Sequence, residues 1–180
     1  LETLAFLGAY LLIFTEILSL FHLLIGTWSA VCWGLAMILS GWIGWEKGLI
    51  RDAWRSLRRR WPRPDWFDWT AGSFLGIILL LLFLTAILSP PNNNDSLQYH
   101  MSRVVHWAQD RSLRHYVTGF QPQLTNPIWA ETAILNFRLL WGNDKLANMV
   151  QWGCLIGALV GASQLAKILG AAKRGQWMAA

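Results

Sequence analysis

The sequence predicts an all-α polytopic membrane protein: a bundle of four transmembrane helices with an external loop of amphipathic helices. Three observations carry this expectation. Of the 180 residues, 54% are hydrophobic and only 14% charged, where a soluble domain carries roughly 25% charged residues. There are 13 Trp besides 3 Tyr and 8 Phe. The apolar residues gather into four stretches of bilayer length, separated by a basic segment and a long polar one. The same composition excludes disorder, which needs a chain poor in apolar and aromatic residues. Two cysteines are too few for a disulfide scaffold. Cys32 and Cys154 both fall in apolar runs and read as small buried hydrophobes.

Crossing a bilayer takes about 20 apolar residues in a helix. Leu4 to Leu24 qualifies, with Glu16 and His22 as its exceptions. Trp28 to Trp45 is shorter and carries Trp at both ends, as interfacial belts do. These two make a helical pair over residues 1–45. No basic region or small-residue cleavage site precedes them, so a removable signal peptide is not expected. A start at Leu1, already apolar, reads as a fragment or as part of a longer chain. Glu16 is costly in hydrocarbon and predicts a protein or water contact. His22 reads as an interfacial histidine.

Residues 46–68 hold Lys47, Arg51, Arg55, Arg58, Arg59, Arg60 and Arg63. Residues 89–145 are more than twice as long and hold fewer basic residues. The positive-inside rule therefore assigns 46–68 to the cytoplasm and 89–145 to the outside of a cytoplasmic (inner) membrane. The arginines are expected to meet anionic headgroups; a nucleic-acid partner is not expected. Trp69 to Leu88 is the clearest span. Its 12 Leu, Ile and Phe contribute about −4 to −7 kcal/mol to insertion. Leu146 to Leu169 is the fourth span, with Lys167 able to snorkel, and 170–180 is a cytoplasmic end. Gly72 with Gly76, and Gly153 with Gly157 and Gly161, have the spacing that lets helix backbones approach closely.

The external segment opens on Pro90 and Pro91, which end the third span. Leu97, Met101, Val104, Val105 and Ala108 form one apolar stripe, predicting a helix that lies on the membrane surface with the stripe down. A second helix is expected from Pro127 to Leu140, capped by Asn126 and buried along a broad apolar face. Gly142-Asn143-Asp144 forms the following turn, with Asp144 as the N-cap of the fourth span.

Asp95 admits two readings. As an N-cap with Gln98 it forms a capping box. As a carboxylate at the outer membrane surface, directly after a span, it can take a proton from an acceptor hydroxyl. His100 and His106 are six residues apart and fall off one helix face, so a His–His metal site is not expected.

The run from Leu84 to Gln151 resembles the first external loop of the GT-C membrane glycosyltransferases, in the bacterial branch related to protein O-mannosyltransferases and aminoarabinose transferases. The span ending at Leu88 is followed by Asp95, Tyr99-His100 and Arg103. After these come Gln121-Pro122-Gln123, Pro127, Ala130-Glu131 and Asp144-Lys145-Leu146-Ala147-Asn148. The resemblance covers about 65 of the 180 residues and implies that this is the N-terminal part of an inverting transferase. It would take a sugar from a polyprenyl-phosphate donor in the membrane lipid, with Asp95 as catalytic base. Tyr99, His100, Arg103, Arg138 and Glu131 would then contact the substrate or the lipid phosphate. Arg103, Arg111 or Arg138 would stabilise the departing phosphate. Glu131 resembles a second acidic site that some members use for a divalent metal or the acceptor; the residues themselves demand no metal. The sequence departs from the family in carrying Ser96 after Asp95 and in placing the loop after the third span. A rival reading belongs to another class: a non-catalytic transmembrane scaffold subunit packed against other membrane subunits, as in electron-transfer or pigment assemblies.

Overall fold

The computed structural model describes residues 2–58 and 64–180. Arg59, Arg60 and Arg63 of the basic cluster lie outside the described residues. Those described form helices joined by turns, without strands. Four helices are long and apolar enough to cross a membrane: α1 (Glu2–Leu20), α2 (Gly26–Glu46), α4 (Trp66–Leu88) and α8 (Met149–Ile168). The protein is thus an all-α, multi-pass membrane bundle, as the composition predicts. The first span stops earlier than its apolar run. His22 takes a left-handed backbone, φ +56°, and the chain turns through residues 21–25 into α2.

The basic segment carries α3 (Leu49–Arg58), joined to α2 through Gly48 at φ +67°. Asp65 caps α4, accepting from the Asp68 amide at 2.8 Å, and the Asp68 side chain returns the bond to the Asp65 amide at 2.9 Å. This capping box satisfies two orphan amides at the helix start. The last helix, α9 (Lys173–Ala179), docks on the same place. Lys173 pairs with Asp68, and the Trp177 indole donates to its other oxygen at 3.0 Å.

At the opposite end lies the long segment between α4 and α8. It holds a π-helical turn (Ser96–His100), α5 (Met101–Asp110), the short α6 (Pro122–Thr125) and α7 (Trp129–Trp141). This segment is built into the bundle rather than spread over the membrane surface. Leu11, Phe14 and Leu18 of α1 and Leu24 of the following turn form one core with Val104, Trp107, Ala133 and Leu135. The predicted stripe holds only in part. Met101 and Val104 are buried and Val105 and Ala108 half-buried, but Leu97 is exposed. The buried side of α5 is rotated toward Trp107 and Arg103 because α7 covers it.

Asn136 ties three helices together. Its amide donates to Thr15 Oγ1 and Thr132 O, both at 3.0 Å, and its oxygen accepts from the Trp33 indole at 3.3 Å. Trp33 also packs edge-on against Tyr10 and Phe14.

Two capping expectations are corrected. Asn126 does not start the second loop helix. It ends α6, and α7 begins at Trp129 after Ile128. Asp144 is not the N-cap of α8, which starts after Asn148; its carboxylate instead binds Arg138. Gly142 closes α7 at φ +80°, a left-handed position that suits glycine. The glycine spacing does not make the α4–α8 contact either. A Cβ at Gly76 or Gly153 would meet nothing within 4 Å. The two helices touch through Phe83 on Trp152, and through the Trp152 indole donating to Leu79 O at 3.1 Å.

Candidate functional site

Two adjoining pockets open where α4 ends and α8 begins. One, about 380 Å³, is lined by Asp95, Ser96, His100 and Ala130 on one side and by Asn148 with Gln151 and Cys154 of α8 on the other. The other, about 330 Å³, lies between the ends of α4 and α8. They share Pro91, Asn93, Asn148 and Gln151, so they form one groove. It has an apolar floor from Leu82, Ala86 and Leu155 and a polar rim from the asparagines, Gln151, Asp95 and His100.

The local fold explains why Asp95 reaches the groove. Pro90 and Pro91 prevent α4 from continuing, and Asn148 Nδ2 holds the Ser89 carbonyl at 2.9 Å. The following turn is capped by Asn93, whose Oδ1 accepts from the Ser96 amide at 2.7 Å. Asp95 makes no capping bond and has helical backbone angles. The expected Asp95–Gln98 capping box is therefore absent, and the carboxylate stands exposed at the rim. Beyond it the chain widens into a π turn, the Met101 amide bonding back to Ser96 O. Single π turns occur frequently at functional sites. This one carries His100 to the groove, with the Tyr99 ring tilted against it at 3.9 Å between centroids.

Behind His100 lies a buried charge cluster. Arg103 and Glu131 are 1% and 0% exposed, and their side chains meet at 2.9 Å. Arg103 also donates to Pro122 O at 2.8 Å, Gln123 O at 2.9 Å and Asn126 O at 3.1 Å. Its face covers the Trp107 ring at 5.5 Å. A guanidinium so fully engaged is a clamp on the α6–α7 connection, because one buried cation binds carbonyls at both ends of α6 and the carboxylate of α7. His100 Nδ1 lies 3.1 Å from Glu131 Oε1, in ion-pair range but poorly aligned for a hydrogen bond. Glu131 Oε2 is buried and accepts no hydrogen bond from the described residues.

Gln123 extends the same scaffold, donating to Gln98 O at 2.6 Å and accepting from Tyr116 at 3.1 Å. Burial pushes the Tyr116 phenol above its ordinary range, against the opposing charge of Arg103.

The structure therefore brings together Asp95 and His100, with Tyr99 beside them and Glu131 directly behind. It withholds the arginines. Arg103 is buried in its clamp, Arg138 is tied to Asp144, and Arg111 is exposed as the left-handed cap of α5. None of the three lines the groove. Asn93, Asn148 and Gln151 were not among the expected site residues, although the polar side chains of Asn148 and Gln151 within an apolar span were a signal. No group of three or more His, Cys, Asp or Glu that could hold a metal ion exists among the described residues. No family model, curated protein or solved structure matches the chain.

Proposed function

We propose that this chain is the N-terminal part of a membrane glycosyltransferase that takes a sugar from a polyprenyl-phosphate donor, with Asp95 as general base. The observation that carries the reading is the groove. An uncapped, exposed carboxylate stands on the polar rim of a cleft whose floor is the apolar end of two membrane-spanning helices. A lipid phosphate has the same division, with an apolar tail and a polar head.

In the reaction, an acceptor hydroxyl gives its proton to the Asp95 carboxylate. Its oxygen bonds to the anomeric carbon, and the carbon–oxygen bond to phosphate breaks, the electron pair leaving with the lipid phosphate. The transition state has oxocarbenium character. Charge on the leaving phosphate is met by amide N–H groups of Asn92, Asn93 and Gln151 and by His100, since Arg103 and Arg138 are engaged elsewhere. The Glu131 carboxylate lies behind the His100 ring, 3.1 Å from its Nδ1, and favours positive charge there. The basic segment 46–68 faces the cytoplasm and the groove faces outward across the inner membrane.

Donor binding is tested by crosslinking a photoreactive polyprenyl phosphate to the protein in its native membrane. Adducts on residues 91–96 and 148–155 are expected. Adducts spread along the outer faces of the bundle would remove the groove as the donor site.

A second reading is favoured by one observation. No residue of α8 is buried, and α2 buries only Ser29 and Gly44. Such open faces also suit a scaffold subunit among other membrane proteins. That reading predicts stable partners on mild detergent extraction and no sugar transfer dependent on Asp95.

A further inference from the structure

We propose that α3 is an interfacial anchor that lies in the plane of the bilayer surface and binds anionic lipid headgroups. The inference is independent of the reading of the groove. Three observations carry it.

The first is the division of its faces. At 100° per residue, Leu49, Ile50, Ala53 and Trp54 fall within one arc, and Arg51, Asp52 and Arg55 fall within the other. Such a strongly divided helix of low overall hydrophobicity lies in an interface rather than crossing it.

The second is its exposure. Leu49, Ile50 and Trp54 are each more than half exposed. Within the arc, Ile50 packs against the small Gly44 near the end of α2.

The third is its place in the chain. It begins three residues after a helix long and apolar enough to cross the membrane, across a left-handed turn at Gly48. That puts its apolar arc at the level where a bilayer's acyl chains begin. The charges fit this occupant. Lys47, Arg51 and Arg55 stand against Glu46 and Asp52 over the described turns, and Arg55–Asp52 is an exposed pair at 3.5 Å that leaves both groups solvated. Juxtamembrane cations of this kind are drawn to anionic leaflets.

The test uses the full chain with its native thiols replaced (Cys32→Ala, Cys154→Ala). Single cysteines at 49, 50, 53, 51, 52 or 55 carry spin labels, and the protein sits in vesicles of phosphatidylglycerol with phosphatidylcholine. Collision rates with oxygen, which concentrates in the bilayer, are compared with those of a water-soluble nickel chelate. The oxygen-to-nickel ratio should be high at 49, 50 and 53 and low at 51, 52 and 55. It should fall at the first three positions when phosphatidylcholine alone is used, or when Arg51→Gln and Arg55→Gln are combined.

Uniform nickel access along the helix would overturn the proposal. So would protection of 49, 50 and 53 from both reagents, which would mean a protein covers that face. A pattern indifferent to lipid charge would overturn the assignment of anionic headgroups.

Discussion

The Arg103–Glu131 pair shows how a single residue can be misread from its neighbours. On the predicted stripe, Arg103 falls on the polar side of α5. Counting Trp107 among the apolar residues turns the buried face toward Arg103, and that was the available signal. Its partner, 28 residues away, was not legible, because no local periodicity links them. Breaking a buried pair by removing one partner typically costs about 3–5 kcal/mol. Arg103→Met should therefore lower thermal stability in detergent strongly, because Glu131 is left buried without its cation; an unchanged melting temperature would contradict the clamp. Capping gives a second test at this scale. Asn93→Ala should cost about 1 kcal/mol, whereas Asp95→Ala should leave stability nearly unchanged. The reverse order would restore Asp95 as the cap and weaken its role at the groove.

At the level of elements, the four spans were legible because hydrophobic length alone specifies them. Their ends were less so. The first apolar run continues to Leu24, but the helix stops at Leu20 where His22 turns the chain. The loop helices were found, yet their setting was not. An apolar stripe cannot say whether lipid or another helix will cover it, and here α7 covers α5 while α1 and α2 cover α7. The α2–α7 contact rests on Gly26. A Cβ there would stand 2.4 Å from the Leu139 carbonyl oxygen, a rigid backbone atom. Gly26→Ala should destabilise the protein by about 1–3 kcal/mol, in the range of other overpacked contacts. Gly153→Ala, which meets open space, should change the stability of the isolated chain little. Thermal unfolding of the two variants side by side checks both expectations.

Across the whole molecule, the bundle is polarised. At one end α9 locks onto the start of α4 through Asp68. At the other, the 89–148 segment packs into α1 and α2 and leaves a groove toward α4 and α8. The side that is well packed comes from long-range polar ties such as Asn136, Arg103 and Ser19 with Ser112, none of which the spacing of residues could announce. The candidate site was legible in its centre, Asp95 and His100, and illegible in its walls, since Asn93, Asn148 and Gln151 converge only in the fold. The most direct test of the account is sugar transfer from a polyprenyl-phosphate donor, measured on the complete protein in its native membrane with Asp95 and with Asp95→Asn. The account predicts that the substitution abolishes transfer while membrane insertion and melting temperature stay as they were. Transfer at the original rate by a normally inserted Asp95→Asn protein would contradict it.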